Sequence, residues 1–217
     1  MNMFNPIKIT ATGKWKLAHI HVDIPYTFEE VLKELGNETW VSPGDLNPLN
    51  VDLWQGQRAK CMNPRGKILT QIQSYLCDES TVWSLIHWMY DTIPGFAQDY
   101  DWSPQDMFDH CMFHAELTRD APGFVNVLHT DYRKLVATGM LYLTKQDDSN
   151  LSTVFYDTAN RGNPVRMTTN WGDGWWHANG NDTWHEGWNH TQSIRYSFLL
   201  GLTLNVQPVN RGKLLEQ

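Results

Sequence analysis

Val125-Asn126-Val127-Leu128-His129-Thr130-Asp131 decides how this chain is read. A β-like run ends in an imidazole and a carboxylate two positions apart, so on extended backbone both point to one side. A second imidazole, His185, comes later, followed by Arg195 and Ser197 at the head of the apolar run Phe198-Leu199-Leu200. Two histidines and one carboxylate are the protein ligands of a facial triad, a site for non-haem Fe(II) that leaves further metal positions open.

Working outward from that stretch, the C-terminal half reads as short strands broken by turn residues. Leu135–Leu143, Thr153–Tyr156, Arg166–Asn170 and Ile194–Leu204 carry the β-branched and aromatic runs. Asp147-Asp148-Ser149-Asn150 and Gly172-Asp173-Gly174 punctuate them, and the pattern predicts a sandwich or jelly roll.

The N-terminal half reads differently. Ile7–Thr10 and Trp15–Val22 look like a strand pair. Thr27 with Glu30 makes a capping box before Phe28–Leu35, and Gly36 ends that helix. A second helix follows Asp78-Glu79-Ser80 and stops at Pro94-Gly95. A third starts at Ser103, with Pro104 in its first turn, and is expected to carry Met107, Phe108, Cys111, Met112, Ala115 and Leu117 on one face. Residues 37–65 read as irregular, with one short strand near Val51–Trp54, and Ile68–Tyr75 fits either a strand or a helix.

The whole is expected to be one domain, α+β but mainly β. Residues 1–119 form a helix-containing support and substrate region. Residues 120–205 form the jelly-roll core, and the helices pack on one sheet.

Composition narrows the function. The formal net charge of −7 argues against a polyanion partner such as nucleic acid. No apolar stretch is long enough to span a bilayer and the first residues lack the features of a secretory leader, so the expected location is cytoplasmic. Cys61, Cys77 and Cys111 have no paired spacing and are expected to be buried, reduced thiols. Of eleven tryptophans, Trp171, Trp175, Trp176, Trp184 and Trp188 fall close together around His177, His185 and His190, which suits either packing or the wall of a largely apolar pocket.

Two rivals test the opening motif. His21-Val22-Asp23 repeats the imidazole–carboxylate spacing but has no third ligand or Arg-x-Ser behind it. It reads as exposed strand polarity. His110 and His114 would share a face of the third helix, again with no third ligand.

With these residues in order, the segment from Asp120 to Leu204 resembles the Fe(II)/2-oxoglutarate-dependent oxygenases, and most closely their prolyl 4-hydroxylase-like branch, small phage oxygenases included. The features that carry the resemblance are His129-Thr130-Asp131, Ala137-Thr138 with Tyr142-Leu143, Thr153-Val154-Phe155, Trp184-His185-Glu186-Gly187 and Arg195-Tyr196-Ser197. Leu151-Ser152 replace the paired glycines common in the family, and Arg195 replaces the lysine common among collagen-type enzymes.

The resemblance implies Fe(II) on His129, Asp131 and His185, with His185 preferred to His177 and His190 on spacing. It implies 2-oxoglutarate on Arg195 and Ser197, with Tyr142 and Thr153 as further partners, and ascorbate as a supporting reductant. Substrate oxidation would use O2 and release succinate and CO2. The substrate class implied first is a peptidyl, prolyl-type residue, or else a small molecule. A nucleobase oxygenase and a non-catalytic jelly-roll binding module are the alternatives. The residue chemistry agrees independently, since a planar, permanently charged guanidinium matches a carboxylate fork.

Overall fold

A computed structural model describes residues 3–13, 16–41, 58–61, 63–131, 135–145, 148–180 and 183–205. The expected strand at Val51–Trp54 lies outside them. Two antiparallel sheets face each other. The larger takes its strands in the order β1 (Lys8–Ala11), β2 (Leu17–His21), β9 (Asp173–Ala178), β6 (Leu135–Tyr142), β11 (Arg195–Leu204), β4 (Cys111–Asp120) and β3 (Arg58–Cys61). The smaller runs β5 (Phe124–His129), β10 (Trp184–Asn189), β7 (Leu151–Tyr156) and β8 (Val165–Arg166). The predicted mainly-β jelly roll is therefore the observed fold.

The two faces of the larger sheet have different neighbours. Phe198, Leu200 and Leu202 of β11 join Leu141 of β6 and Trp176 of β9 in a core shared with the helices. Helices α1 (Phe28–Leu35), α2 (Lys67–Leu76) and α3 (Glu79–Thr92) contribute Val31, Leu35, Leu69, Ile72, Leu76, Leu85, Ile86 and Met89 to it. Full burial of such side chains stabilises by roughly 1.5–3 kcal/mol each. The alternate residues face the smaller sheet, where Met140, Tyr142 and Trp175 pack with Phe155 and Met167. Close approach of β6 and β9 requires Gly139, because a Cβ there would lie 2.6 Å from the Trp175 carbonyl oxygen.

Local signals set most of the helix ends. Thr27 and Ser103 both make complete capping boxes, with Glu30 and Asp106. Asp78 caps α3 through the amide of Ser80. The undecided segment from Ile68 to Tyr75 is helical, within α2.

The helix from Ser103 is shorter than expected. After α4 (Phe96–Tyr100), α5 (Pro104–His110) ends before Cys111, and Cys111–Asp120 forms β4, paired along its whole length with β11. Cys111, Phe113, Ala115 and Leu117 alternate with Met112, His114, Glu116 and Thr118, a period of two that the overlapping i, i+4 pattern conceals. His110 and His114 consequently sit on different elements and share no helix face. The larger sheet also draws β1 to β4 from the segment expected to be support, so the strands of the core do not begin at residue 120.

Among the cysteines, Cys61 is buried, Cys111 half-buried and Cys77 exposed, and all three are free thiols. Burial pushes the Cys111 thiol up to about 12. Among the described residues, no helix is long and apolar enough to cross a membrane.

Candidate active site

The smaller sheet brings the opening motif to His185. In the antiparallel pair of β5 and β10, His185 stands opposite His129, and their ring centroids are 4.3 Å apart. Asp131 follows just past the end of β5. Ligand atoms of His129, Asp131 and His185 all lie within 4.8 Å of one another, the one such group among the described residues.

Backbone carbonyls orient both rings. His129 Nδ1–H donates to Val127 O at 2.7 Å, and His185 Nδ1–H donates to Thr183 O at 3.2 Å. Each leaves an Nε2 lone pair turned toward Asp131 Oδ1, at 3.6 Å from His129 and 3.7 Å from His185. Fixing one ring nitrogen in this way sets the tautomer of a ligating histidine.

The electrostatics favour the ligating protonation states of His185 and Asp131. Burial pushes His185 down to about 3, against the pull of Asp131, so its imidazole is neutral. Burial also opposes charge on Asp131, but the surrounding imidazoles, led by His129 and His177, hold its carboxyl well below the usual carboxylate range. For His129, burial is outweighed by the Asp131 carboxylate and the Val127 carbonyl, and its value rises.

The cluster opens into a cavity of about 460 Å³ between the sheets, also lined by Thr153, Met140, Trp175, Leu199, Arg58 and Arg195. Arg195 is fully buried, with its guanidinium between the rings of Phe124 and Tyr142. Its Nε donates to Asp120 Oδ2 at 2.8 Å, and Nη2 donates to the same oxygen. Nη1 is buried and makes no hydrogen bond. Asp120 also accepts from Arg58, whose Nε meets Oδ1 and whose Nη2 lies 2.8 Å from Oδ2. Burial disfavours the Asp120 carboxylate, yet the two guanidinium groups hold its carboxyl below the usual range.

The other expected residues divide. Thr153 lines the cavity, and its hydroxyl lies 2.8 Å from the Tyr142 hydroxyl. Tyr142 is fully buried and also accepts from Trp175 Nε1 at 3.0 Å. Ser197 shares a strand face with Arg195, but its Oγ is 3.0 Å from Thr118 Oγ1 on β4.

Of the tryptophan cluster, Trp175 reaches the cavity, Trp176 is in the helix-side core, and Trp188 stacks on His190. His21 and Asp23 bond each other, and His21 also contacts Asp173, in a half-exposed network of β2 and β9. Arg58 and Asp120 are the residues that sequence reasoning missed, because their pairing depends on strands distant in the chain.

The donor set fits a divalent transition metal: two imidazoles and one carboxylate on one side, with open space on the other. The site also fits an anionic co-ligand, since Arg195 lines the cavity shared with the triad and its Nη1 is without a partner. A buried donor without a partner costs about 1–3 kcal/mol, and more when charged, which a carboxylate would offset.

No protein-family model and no curated protein matches this chain. Solved structures do. The chain is similar to a prolyl-4-hydroxylase from Pseudomonas putida, with a TM-score of 0.53 at 12% identity over 88% of this chain and 94% of that one. It is similar to a prolyl hydroxylase from Trichoplax adhaerens, in complex with a hypoxia inducible factor oxygen degradation domain peptide fragment, with a TM-score of 0.53 at 14% identity over 87% and 83%. A viral collagen prolyl hydroxylase from Paramecium bursaria Chlorella virus-1, in a 2OG complex, gives 0.50 at 12% over 90% and 98%. This chain shares the jelly-roll fold of these prolyl hydroxylases.

Proposed function

We propose that the protein is an Fe(II)- and 2-oxoglutarate-dependent dioxygenase that hydroxylates a peptidyl, prolyl-type residue with release of succinate and CO2. The observation that carries this is the convergence, on one cavity, of the His129–Asp131–His185 group and the unpartnered Nη1 of Arg195.

His129 Nε2, Asp131 Oδ1 and His185 Nε2 would hold the metal. Bound Fe(II) supplies the activation of O2 coupled to decarboxylation of the 2-oxo acid. Arg195 receives the distal carboxylate of 2-oxoglutarate through Nη1, with Asp120 fixing the plane of the guanidinium. Thr153 lines the cavity and would offer it a hydroxyl, Tyr142 orients that hydroxyl, and Ser197 adds one on the strand face of Arg195. Met140, Leu199 and Trp175 keep that length of the cavity dry, which strengthens each polar contact.

The peptidyl assignment draws on the similar structures, which are prolyl hydroxylases, one of them with a bound peptide. The net charge of −7 disfavours the nucleobase alternative, which needs a groove for phosphates.

The test is turnover of 2-oxoglutarate with Fe(II) and ascorbate against proline-rich peptides, free amino acids and oligonucleotides, read by succinate release and by mass spectrometry for one added oxygen atom. Succinate with an oxygenated peptide is the expected result, abolished in H185A. Oxygenation of oligonucleotides alone moves the assignment to the nucleobase class. Succinate formation no greater than that of H185A with every substrate overturns the enzyme reading.

A further inference from the structure

His177 lies on β9, eight positions before His185, with the same residue type and greater burial, yet its imidazole is outside the candidate metal group. Its Nε2 reaches the carboxylate of that group, 3.1 Å from Asp131 Oδ2. Its Nδ1 lies 3.1 Å from the carbonyl oxygen of Ala178. The ring packs against Phe155, Trp175 and His185, with centroids 5.1, 5.5 and 5.3 Å away, so it has little freedom to turn.

We infer that His177 is a positioning residue for the metal ligand Asp131, a reading that rests on the proposed metal site. The carboxylate is divided between two duties. Oδ1 faces the Nε2 atoms of His129 and His185, and Oδ2 receives the hydrogen bond of His177. A carboxylate held by one oxygen in this way gives the metal a single bond. Without that hold the carboxylate can rotate and chelate with both oxygens, occupying a position that the 2-oxo acid or O2 needs.

Three features separate this from ordinary packing. The ring is fully buried against Phe155 and Trp175, where an apolar side chain would pack without leaving a polar atom to satisfy. The bond joins residues 46 apart in sequence, across the two sheets. No other described side chain makes a hydrogen bond shorter than 3.5 Å to Oδ2 of Asp131. Partners of this kind typically govern metal affinity by about 10–100-fold.

Two substitutions of similar polarity separate the ring's two polar contacts, to Asp131 and to Ala178. In H177Q the amide nitrogen falls near the place of Nε2 and keeps the bond to Asp131. In H177N it falls near Nδ1 and reaches only the carbonyl of Ala178. Co(II) binding to the full-length apo chain, by calorimetry and by visible absorption, reads the metal's surroundings without turnover. H177N is expected to bind Co(II) about 10-fold more weakly or worse with an altered ligand-field spectrum, while H177Q stays within about 3-fold of wild type.

Thermal unfolding without metal accompanies each. Equal affinity and spectrum in all three proteins overturns the inference, and so does the reverse order, in which H177Q is the weaker. If H177N does not fold, H177Q alone decides: near-wild-type affinity and spectrum support the inference, and a loss of about 10-fold or more overturns it. The reading of the metal site fails separately, if H129A and H185A bind Co(II) as wild type does.

Discussion

Arg195 lines the cavity, gives two of its three nitrogens to Asp120 and holds the third, Nη1, buried and unpaired. The arrangement is directional: Asp120 anchors one edge of the planar guanidinium and thereby aims the other. A hydrogen bond to a charged group contributes about 1.5–3 kcal/mol, which is roughly 10- to 150-fold in affinity. R195K should therefore raise the KM for 2-oxoglutarate by at least about tenfold with a smaller change in kcat, because an ammonium cannot serve Asp120 and a carboxylate from one plane. Steady-state kinetics with varied 2-oxoglutarate checks this, and an unchanged KM would remove Arg195 from the co-substrate site.

The same trio sets a stability test. Asp120 is fully buried between Arg58 and Arg195, and D120N leaves two buried guanidinium groups facing a neutral amide. Breaking a buried pair in this way costs about 3–5 kcal/mol. The sign of the pH dependence follows from the lowered carboxyl of Asp120 in the folded chain. A depressed acid contributes stability that is fully present above its unfolded value, about 3.9, and is lost as pH falls through the folded value. The gap between wild type and D120N in urea unfolding should be constant from pH 7 to about 4.5 and shrink only below that. A gap that closes already near pH 6 would show that another group governs it.

The sequence carried more of the site than of its supports. His129, Asp131, His185 and Arg195 were legible because an ordered set of chemically distinctive residues survives without knowledge of contacts. Jelly-roll strands were legible from alternation and turn residues. Arg58 and Asp120 were not, since their meeting depends on β3, β4 and β11 lying side by side, and neither residue has a local signature. β4 was misread as helix for a different reason: Met107, Phe108, Cys111, Met112 and Ala115 satisfy helical spacing, while the alternation that wins is stabilised by full-length pairing with β11. His177 was visible only as a rival ligand, because spacing cannot distinguish a histidine that binds a metal from one that holds its carboxylate.

Metal binding should register as stability before any substrate is known. A ligand that binds only the folded state stabilises it by about 2.7 kcal/mol at a hundredfold excess over Kd. Mn(II), which binds such ligand sets without Fe(II)'s sensitivity to air, should raise the Tm of the wild type by several degrees, and a chelator should reverse the shift. For D131A the shift should vanish, since its remaining two imidazoles no longer complete the set. Differential scanning fluorimetry across a metal titration measures both, and an equal shift in D131A would place the metal elsewhere.

Tyr142 connects the Arg195 end of the cavity to its aromatic wall. Its hydroxyl meets Thr153 Oγ1 at 2.8 Å and accepts from Trp175 Nε1 at 3.0 Å, with all three side chains buried. Y142F removes the acceptor from a buried indole N–H and should destabilise the fold by about 1–3 kcal/mol. T153V removes a hydroxyl from the cavity lining but leaves the Trp175–Tyr142 bond intact, so its effect on stability should be the smaller. The two should converge in kinetics. If the Thr153 hydroxyl contacts the co-substrate and Tyr142 only orients it, each variant raises the KM for 2-oxoglutarate, and the double variant raises it little further than T153V alone. Urea unfolding and the double-mutant kinetic cycle separate the roles. Strictly multiplicative effects on KM would mean that Tyr142 acts on the co-substrate independently of Thr153.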